Sequence, residues 1–481
     1  MGKNYSKLCG VLLIMSLRQV VKNISYSFGA NIISLGVSVL MVMFVPKLLP
    51  VEDYGKWQLF LFYFSYLGFL HFGWEDGIYL RYAGKTFEEL NPHVFSGQFL
   101  GIIILQLAVT GLAFLFSHFF ITDPIKETVF LCAISLAVFV NFNTGCNFIM
   151  QITNRIKDYA RLILADRVLL LILVFSFLLI GFEQFKYMYI AKLVSMMAVS
   201  VLCFYECRRL WTTHIGNFHD ICHEAGLNLE VGIKLMFANI ASMLIIGIVR
   251  YGISIGWDVS TFGKVSLTLG ISNFLMIFIN SVSVVFFPIL KRMDKQRLPE
   301  MYMQIRTILA CVLFFMLIFY YPIKEVLSWW LPKYADSLIY MSVLFPVCLF
   351  ESKVSLLINT YLKSLRKEAL MLKINLISVG VAAIVTFLTI EVLHNLNAAV
   401  FSIVFLYAFR CEMAEHYMEH ILQLKLKKAI LAELFMAAIF IATSVLLDNW
   451  LCTIIYAVAY LGYMIANKNR VVAVKRMMRR G

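Results

Sequence analysis

Residues 95–119 read FSGQFLGIIILQLAVTGLAFLFSHF, which is 25 consecutive positions without Asp, Glu, Lys or Arg. A helix needs about 20 apolar residues to cross the hydrocarbon core of a bilayer, so this stretch alone predicts a transmembrane helix. The whole chain of 481 residues continues the pattern, with 61% hydrophobic and 15% charged residues. Because a soluble core cannot bury so much apolar surface, the composition excludes a soluble enzyme, a disordered protein and a nucleic-acid binder.

Similar apolar stretches, separated by short polar connections, follow one another along the chain. About fourteen predicted spans lie near 25–49, 57–80, 95–119, 127–150, 162–182, 186–206, 232–254, 264–289, 305–328, 337–360, 370–391, 396–419, 428–447 and 450–467. Most of the 42 Lys and Arg residues fall at the termini and in every second connection. Since basic residues collect on the cytoplasmic side, both termini are predicted to be cytoplasmic. The net charge of +14 then reflects topology rather than a polyanion partner.

The predicted fold class is an all-α polytopic membrane protein with two six-helix lobes and two further C-terminal helices. The division follows the longest polar stretch, which lies between spans six and seven. We predict an N-terminal lobe over 1–207, a cytoplasmic interlobe linker over 208–230 and a C-terminal lobe over 231–422. The last two spans and a basic cytoplasmic tail occupy 423–481.

An internal repeat supports the two-lobe division. Ala30-Asn31-Ile32 reappears 208 residues later as Ala238-Asn239-Ile240, and Tyr54-Gly55-Lys56 reappears at the same offset as Phe262-Gly263-Lys264. One offset held across both motifs indicates duplication of a six-helix unit. Because six is even, both copies enter the membrane in the same orientation, which makes the repeat parallel.

Five short motifs stand out near the beginning of the chain. They are KNISYS at 22–27, VPKLL at 45–49, EDYGKW at 52–57, GWEDGI at 73–78 and RY at 81–82. Together with the helix count and the repeat, these motifs resemble polysaccharide repeat-unit flippases. Those proteins are the O-antigen and capsule transporters of the multidrug/oligosaccharidyl-lipid/polysaccharide exporter superfamily.

The resemblance implies a multi-pass protein of the bacterial inner membrane. Such a protein translocates an undecaprenyl-pyrophosphate-linked oligosaccharide from the cytoplasmic to the periplasmic leaflet by alternating access. An ion gradient is the energy source that we expect for this transport. The implied partners are this lipid-linked oligosaccharide, the bilayer and a polysaccharide polymerase. No cofactor is predicted.

Basic residues deep in the predicted spans are the candidates for binding the pyrophosphate. A charged side chain at mid-membrane depth is costly, so its presence marks a cavity, an ion pair or a pathway. Arg410 and Lys353 are the deepest, and Arg81 and Arg250 lie nearer the helix ends. The alternative is a structural ion-pair network, because Glu351 is close in sequence to Lys353 and acidic residues surround Arg410.

Glu75 and Asp76 are the candidates for ion coupling. Two adjacent carboxylates in a membrane helix can bind sodium ions or protons. The alternative is an interfacial helix cap and ion pair. No metal site is predicted, since the Cys residues occur singly in apolar runs and the His and Cys residues of the linker lack a second ordered pair of ligands.

Two other functional classes compete with the flippase. A cation-coupled small-molecule or drug exporter of the same superfamily would have about twelve spans and carboxylates in its cavity. A membrane polysaccharide polymerase or ligase would carry a large periplasmic loop with catalytic basic residues, whereas the outward loops predicted here are short. The chain is therefore not expected to be an enzyme.

Overall fold

The computed structural model describes residues 29–468 apart from 30, 31, 212, 273–275, 277–289, 291–293 and 448. Within these residues every regular element is helical, which confirms the all-α class. The KNISYS motif, Asn31, most of the predicted span at 264–289 and the basic tail lie outside the described residues.

The chain divides into two compact units, Met1–Phe237 and Ala238–Gly481. In the first unit the helices are α1 Ile32–Leu48, α2 Val51–Leu67, α3 Trp74–Tyr82, α4 Pro92–Phe120, α5 Pro124–Ile134, α6 Ala137–Ile152, α7 Ile156–Leu179 and α8 Phe185–Glu206. Helix α9, Phe218–Gly256, begins in the first unit and ends in the second.

The second unit contains the remaining helices of the described chain. They are α10 Val259–Ser272, α11 Leu298–Leu317, α12 Tyr320–Trp330, α13 Ile339–Leu344, α14 Val347–Ser352, α15 Asn359–Ser364, α16 Glu368–Phe387, α17 Leu396–Leu422, α18 Lys427–Leu446 and α19 Trp450–Ala466. Two π-helical turns, Lys353–Ile358 and Leu388–Val392, join α14 to α15 and extend α16.

The helix lengths confirm a multi-pass membrane protein. In the described part of the chain nine helices are long and apolar enough to cross a membrane, and a bent pair, Pro332–Leu344 with Val347–Ser364, makes up to ten. Ile32–Leu48 and Trp450–Ala466 are shorter apolar helices. Their exposed faces are rich in large apolar side chains, which a bilayer would cover.

The two units repeat the same pattern of breaks. Helices α2 and α10 begin at Val51 and Val259, the offset of 208 already present in the sequence. Helices α5 and α6 are interrupted at residues 135–136, and α13 and α14 at residues 345–346. The break between α13 and α14 thus follows the break between α5 and α6 at an offset of 210 residues.

The span predicted at 57–80 is broken in the structure. Helix α2 ends at Leu67 and α3 begins at Trp74, with Phe72 at φ 53° and Gly73 at φ 88° between them. A left-handed conformation interrupts helical hydrogen bonding, and glycine adopts it without strain. A side chain on Gly73 would also collide with the backbone of α9 at Ile233.

The predicted linker at 208–230 is largely ordered. It begins with a 3₁₀ turn, Arg208–Leu210, and from Phe218 onward it belongs to α9. Helix α9 packs closely against α3 in this region. A Cβ on Gly77 would collide with the backbone of Asn228, and a Cβ on Gly232 would collide with the backbone of Gly73 and Gly77. Small residues at such positions let two helix backbones touch.

Candidate functional site

Four charged side chains meet inside the second unit. Arg306 of α11 forms paired hydrogen bonds with both Glu415 of α17, at 2.7 and 2.9 Å, and Glu433 of α18, at 2.7 and 2.9 Å. Lys353 Nζ lies 2.9 Å from Glu415 Oε2 and 2.8 Å from Glu433 Oε2. We call Arg306, Lys353, Glu415 and Glu433 the charge cluster.

The charge cluster is neutral and closed to solvent. Its side chains are between 0% and 3% exposed, and each cation contacts both carboxylates. Removal of one member of a buried ion pair leaves an uncompensated charge and typically costs about 3–5 kcal/mol. The arrangement therefore ties four separate segments of the second unit together.

The cluster changes how Lys353 is interpreted. The sequence left two hypotheses open, phosphate binding and a structural network, and its pairing with two buried carboxylates favours the structural role. The partner suggested by proximity in sequence, Glu351, contacts Arg410 instead. Residues two positions apart on a helix point in different directions, so Glu351 and Lys353 do not face each other.

Arg410 lies in a different environment from Lys353. Its Nη1 is 3.1 Å from Glu351 Oε2, its Nη2 donates to Ser242 Oγ at 2.9 Å, and its Nε donates to Asn375 Oδ1 at 3.1 Å. Arg410 is 2% exposed, whereas the Glu351 side chain is 21% exposed. Of the three hydrogen-bond partners of Arg410 in the described part of the chain, one is an anion and two are neutral, so its charge is balanced by a single, partly accessible carboxylate.

Arg250 belongs to the same part of the second unit. It donates to Ser266 Oγ at 3.1 Å, and its guanidinium lies 5.4 Å from the ring centre of Phe262. Arg250 lies on α9, the helix that also carries Ser242, a hydrogen-bond partner of Arg410.

The predicted ion-coupling residues follow the helix break in the first unit. Glu75 is 1% and Asp76 7% exposed. His71 Nε2 lies 3.8 Å from Asp76 Oδ2, and His71 Nδ1 accepts from the Gly73 amide at 3.0 Å. This bond assigns the ring proton of a neutral His71 to Nε2, facing Asp76.

The two oxygens of Glu75 have no hydrogen-bond partner among the described residues. The carboxyl lies against α6, where a Cβ on Gly145 would be 3.4 Å from Oε1 and would also collide with Phe99. An unpaired carboxylate is very costly in such surroundings, and a bound proton or a bound cation would each remove the uncompensated charge.

Arg81 is engaged in an interhelical contact of the first unit. Its Nη1 lies 2.9 Å from Glu224 Oε2 and 2.6 Å from Asn228 Oδ1, both on α9. Tyr82 donates to the same Glu224 carboxylate at 2.9 Å. These bonds fix α3 against α9, which favours a structural role for Arg81.

Sequence reasoning missed Arg306, Glu433, Ser242 and Asn375. The available signal was Glu433, a single acidic residue within an apolar run that spans 428–447. A buried acid requires a cationic partner, but hydropathy alone does not say which of many distant residues supplies it. Within the described ranges, no group of three or more His, Cys, Asp or Glu residues is arranged to hold a metal ion.

Comparison with known proteins identifies the fold. No protein family and no curated protein matches the sequence. The solved structure of the lipid II flippase MurJ, in an inward closed conformation, matches with a TM-score of 0.66 and 14% identity, covering 94% of this chain and all of that one.

Two solved structures described as multidrug resistance MATE family transporters of the MOP superfamily match as well. An inward-facing structure gives a TM-score of 0.60 at 12% identity, covering 82% of this chain and 98% of the other. An outward-facing structure gives 0.55 at 14% identity, covering 84% and 96%. At such low identities the likeness establishes the fold that these transporters share.

Proposed function

We propose that this protein is a flippase for a polyprenyl-pyrophosphate-linked oligosaccharide. It would move the lipid from the cytoplasmic to the periplasmic leaflet of the bacterial inner membrane by alternating access. The observation that carries the proposal is Arg410, a buried arginine whose charge is balanced by one partly exposed carboxylate. A fold shared with a lipid II flippase supports the same class of substrate.

The chemistry of Arg410 suits a phosphate group. Guanidinium binds carboxylate and phosphate with the same two-pronged geometry, so an incoming phosphate can take the place of Glu351 at Nη1. Ser242 and Asn375 hold the other nitrogen atoms and keep the fork oriented. Arg250, which lies on α9 like Ser242, is the proposed second positive charge for a dianionic head group.

Lys353 and Arg81 contribute indirectly in this proposal. Lys353 belongs to the charge cluster, which holds α17 and therefore Arg410 in position. Arg81 orients α3, the helix that carries Glu75 and Asp76. Those two carboxyl groups are proposed to couple transport to a proton or sodium gradient.

A drug exporter is the second candidate function. The MATE likeness favours it, and so does the buried carboxyl of Glu75, which could pair with an organic cation. A polymerase or ligase is a weaker alternative, because the matched structures are transporters. The pairing of Arg410 with Glu351, a carboxylate that a substrate anion can replace, favours an anionic substrate over an organic cation.

A polysaccharide polymerase is the proposed protein partner, because it would act on the translocated lipid-linked oligosaccharide.

Export in cells provides the test. Cells lacking their own repeat-unit flippase would express the wild type, Arg410→Ala or Arg410→Lys, and the lipid-linked oligosaccharide reaching the periplasmic leaflet would be labelled. Loss of a charged hydrogen-bond donor is worth about 1.5–3 kcal/mol, so we expect Arg410→Ala to lower export at least about tenfold.

Arg161→Ala is the matched control, because that side chain is 62% exposed and lies on the surface of α7. Arg410→Lys should retain part of the activity, since it keeps the charge and loses the fork. Wild-type export by Arg410→Ala at normal protein abundance would refute the proposal. Export of organic cations without any lipid-linked sugar would favour the drug exporter.

A further inference from the structure

A cavity in the first unit is lined by none of the residues proposed for transport. It has a volume of about 660 Å³ and opens between α4, α6, α8 and the segment that follows α8. Its lining includes Phe99, Leu100, Phe142, Phe204, Trp211 and Thr213. The volume falls in the range typical of small-molecule and lipid-chain pockets, and the lining is mainly aromatic and aliphatic.

Aromatic packing gives the cavity a fixed wall. The Trp211 ring meets Phe99 edge to face, with ring centres 4.3 Å apart, and lies 5.5 Å from Phe142. Phe99 is 1% exposed and belongs to the hydrophobic core of the unit. Trp211 is therefore held by the core on one side and borders the cavity on the other.

The segment that carries Trp211 is fastened to neighbouring elements. The ring of His93 donates from Nδ1 to the carbonyl of His214 at 2.7 Å, and the Gly216 amide donates to the His93 carbonyl at 3.1 Å. Arg209 donates to the carbonyl of Glu88 at 3.2 Å. With these three bonds in place, the cavity is preformed rather than a gap beneath an unattached loop.

The polar atoms of two lining residues are turned away from the cavity. Trp211 Nε1 and Thr213 Oγ1 have almost no accessible surface and no hydrogen-bond partner among the described residues. A molecule in the cavity therefore meets mainly carbon atoms of the lining, which favours a long apolar chain as the ligand.

The surroundings indicate where such a ligand comes from. Leu100 and Phe204, at the mouth of the cavity, are 42% and 50% exposed on the lipid-facing surfaces of α4 and α8. Arg208 and Arg209 are exposed next to Trp211, at the end of the unit that the basic loops predict to be cytoplasmic. The cytoplasmic leaflet is rich in anionic lipids, which such residues attract.

We propose that this cavity binds one anionic phospholipid of the bilayer. One acyl chain lies against Phe99, Phe142 and Phe204. The head group lies near Arg208 and Arg209. This site is independent of the transported substrate, and it would make the stability of the first unit depend on the lipid composition of the membrane.

The test measures lipid retention by native mass spectrometry. Purified protein would be supplied with phosphatidylglycerol, phosphatidylethanolamine or a polyprenyl phosphate in separate samples. Leu100→Trp fills the mouth of the cavity, whereas Leu107→Trp adds the same ring two turns further along α4, at a position that is 57% exposed and outside the lining.

We expect the wild type and Leu107→Trp to retain one phosphatidylglycerol, and Leu100→Trp to lower its occupancy at least tenfold. Replacement of Arg208 and Arg209 by Gln should abolish the preference over phosphatidylethanolamine. Equal retention by the wild type and Leu100→Trp would overturn the proposal, as would tighter binding of the polyprenyl phosphate at this site.

Discussion

Lys353 Nζ lies 2.8 Å from Glu433 Oε2, a contact that joins the π-helical turn Lys353–Ile358 to α18. Helix α18 is the first of the two helices that follow the second six-helix segment in the sequence. Its buried carboxylate completes the balance of two cations and two anions in the charge cluster. Helix α18 is therefore part of the core of the second unit, rather than an addition to its surface.

Replacement of Glu433 by Leu should destabilise the protein strongly. The variant leaves Arg306 and Lys353 with only Glu415 between them, and an uncompensated buried charge costs about 3–5 kcal/mol. We expect a clear fall in the thermal unfolding temperature of the purified protein. The double variant Arg306→Met with Glu433→Leu leaves a neutral Lys353–Glu415 pair and should recover most of the loss. Glu300→Gln, an exposed change at the beginning of α11, serves as the control, and a similar melting temperature for all variants would contradict the expectation.

Replacement of Glu351 by Gln should strengthen anion binding. Glu351 competes with an incoming phosphate for Arg410 Nη1, and Gln keeps its shape while removing its charge. We expect pyrophosphate to bind at least about tenfold more tightly, in line with the strength of charged hydrogen bonds. Isothermal titration of the purified protein measures the change. Arg410→Ala in the Glu351→Gln background should abolish the gain, and weaker binding by Glu351→Gln would argue against competition.

Replacement of Glu75 by Gln should change the ion dependence of transport but not the stability of the protein. Because the carboxyl oxygens have no hydrogen-bond partner among the residues described, the neutral amide should leave the melting temperature close to that of the wild type. Transport by proteoliposomes should however lose its dependence on an imposed proton or sodium gradient. Asp76→Asn tests the neighbouring carboxyl, which faces His71. An unchanged ion dependence in both variants would remove these residues from the coupling mechanism.

Replacement of Gly77 by Ala should loosen the contact between α3 and α9. A Cβ at this position would overlap the backbone of Asn228, which cannot move aside as a flexible side chain could. Overpacking of this kind costs about 1–3 kcal/mol or more, so the melting temperature and the protein yield should fall. Gly111→Ala in α4 is the control, since a Cβ there meets no atom within 4 Å. Equal stability of both variants would show that the two helices are less tightly packed than described.

Much of the architecture follows from the amino-acid sequence. Apolar runs of membrane-spanning length predicted an all-helical membrane protein. The sequence motifs repeat at an offset of 208 residues, and helices α2 and α10 begin at positions separated by the same 208 residues. Local sequence did not predict the break before α3. That break depends on Gly73 and Gly77 lying against the backbone of α9, more than 140 residues away.

For the candidate site, the sequence predicts which residues matter, and the tertiary structure decides which residues they contact. The amino-acid order was sufficient to single out Arg410, Lys353, Glu75 and Asp76, because a charge within an apolar run is evident from composition alone. The ion-pair partners of these residues depend on how the helices pack. Glu351 contacts Arg410, and Lys353 contacts Glu415 and Glu433. Hydropathy is a property of neighbouring residues, whereas an ion pair in a membrane joins whichever helix faces meet after the chain has folded.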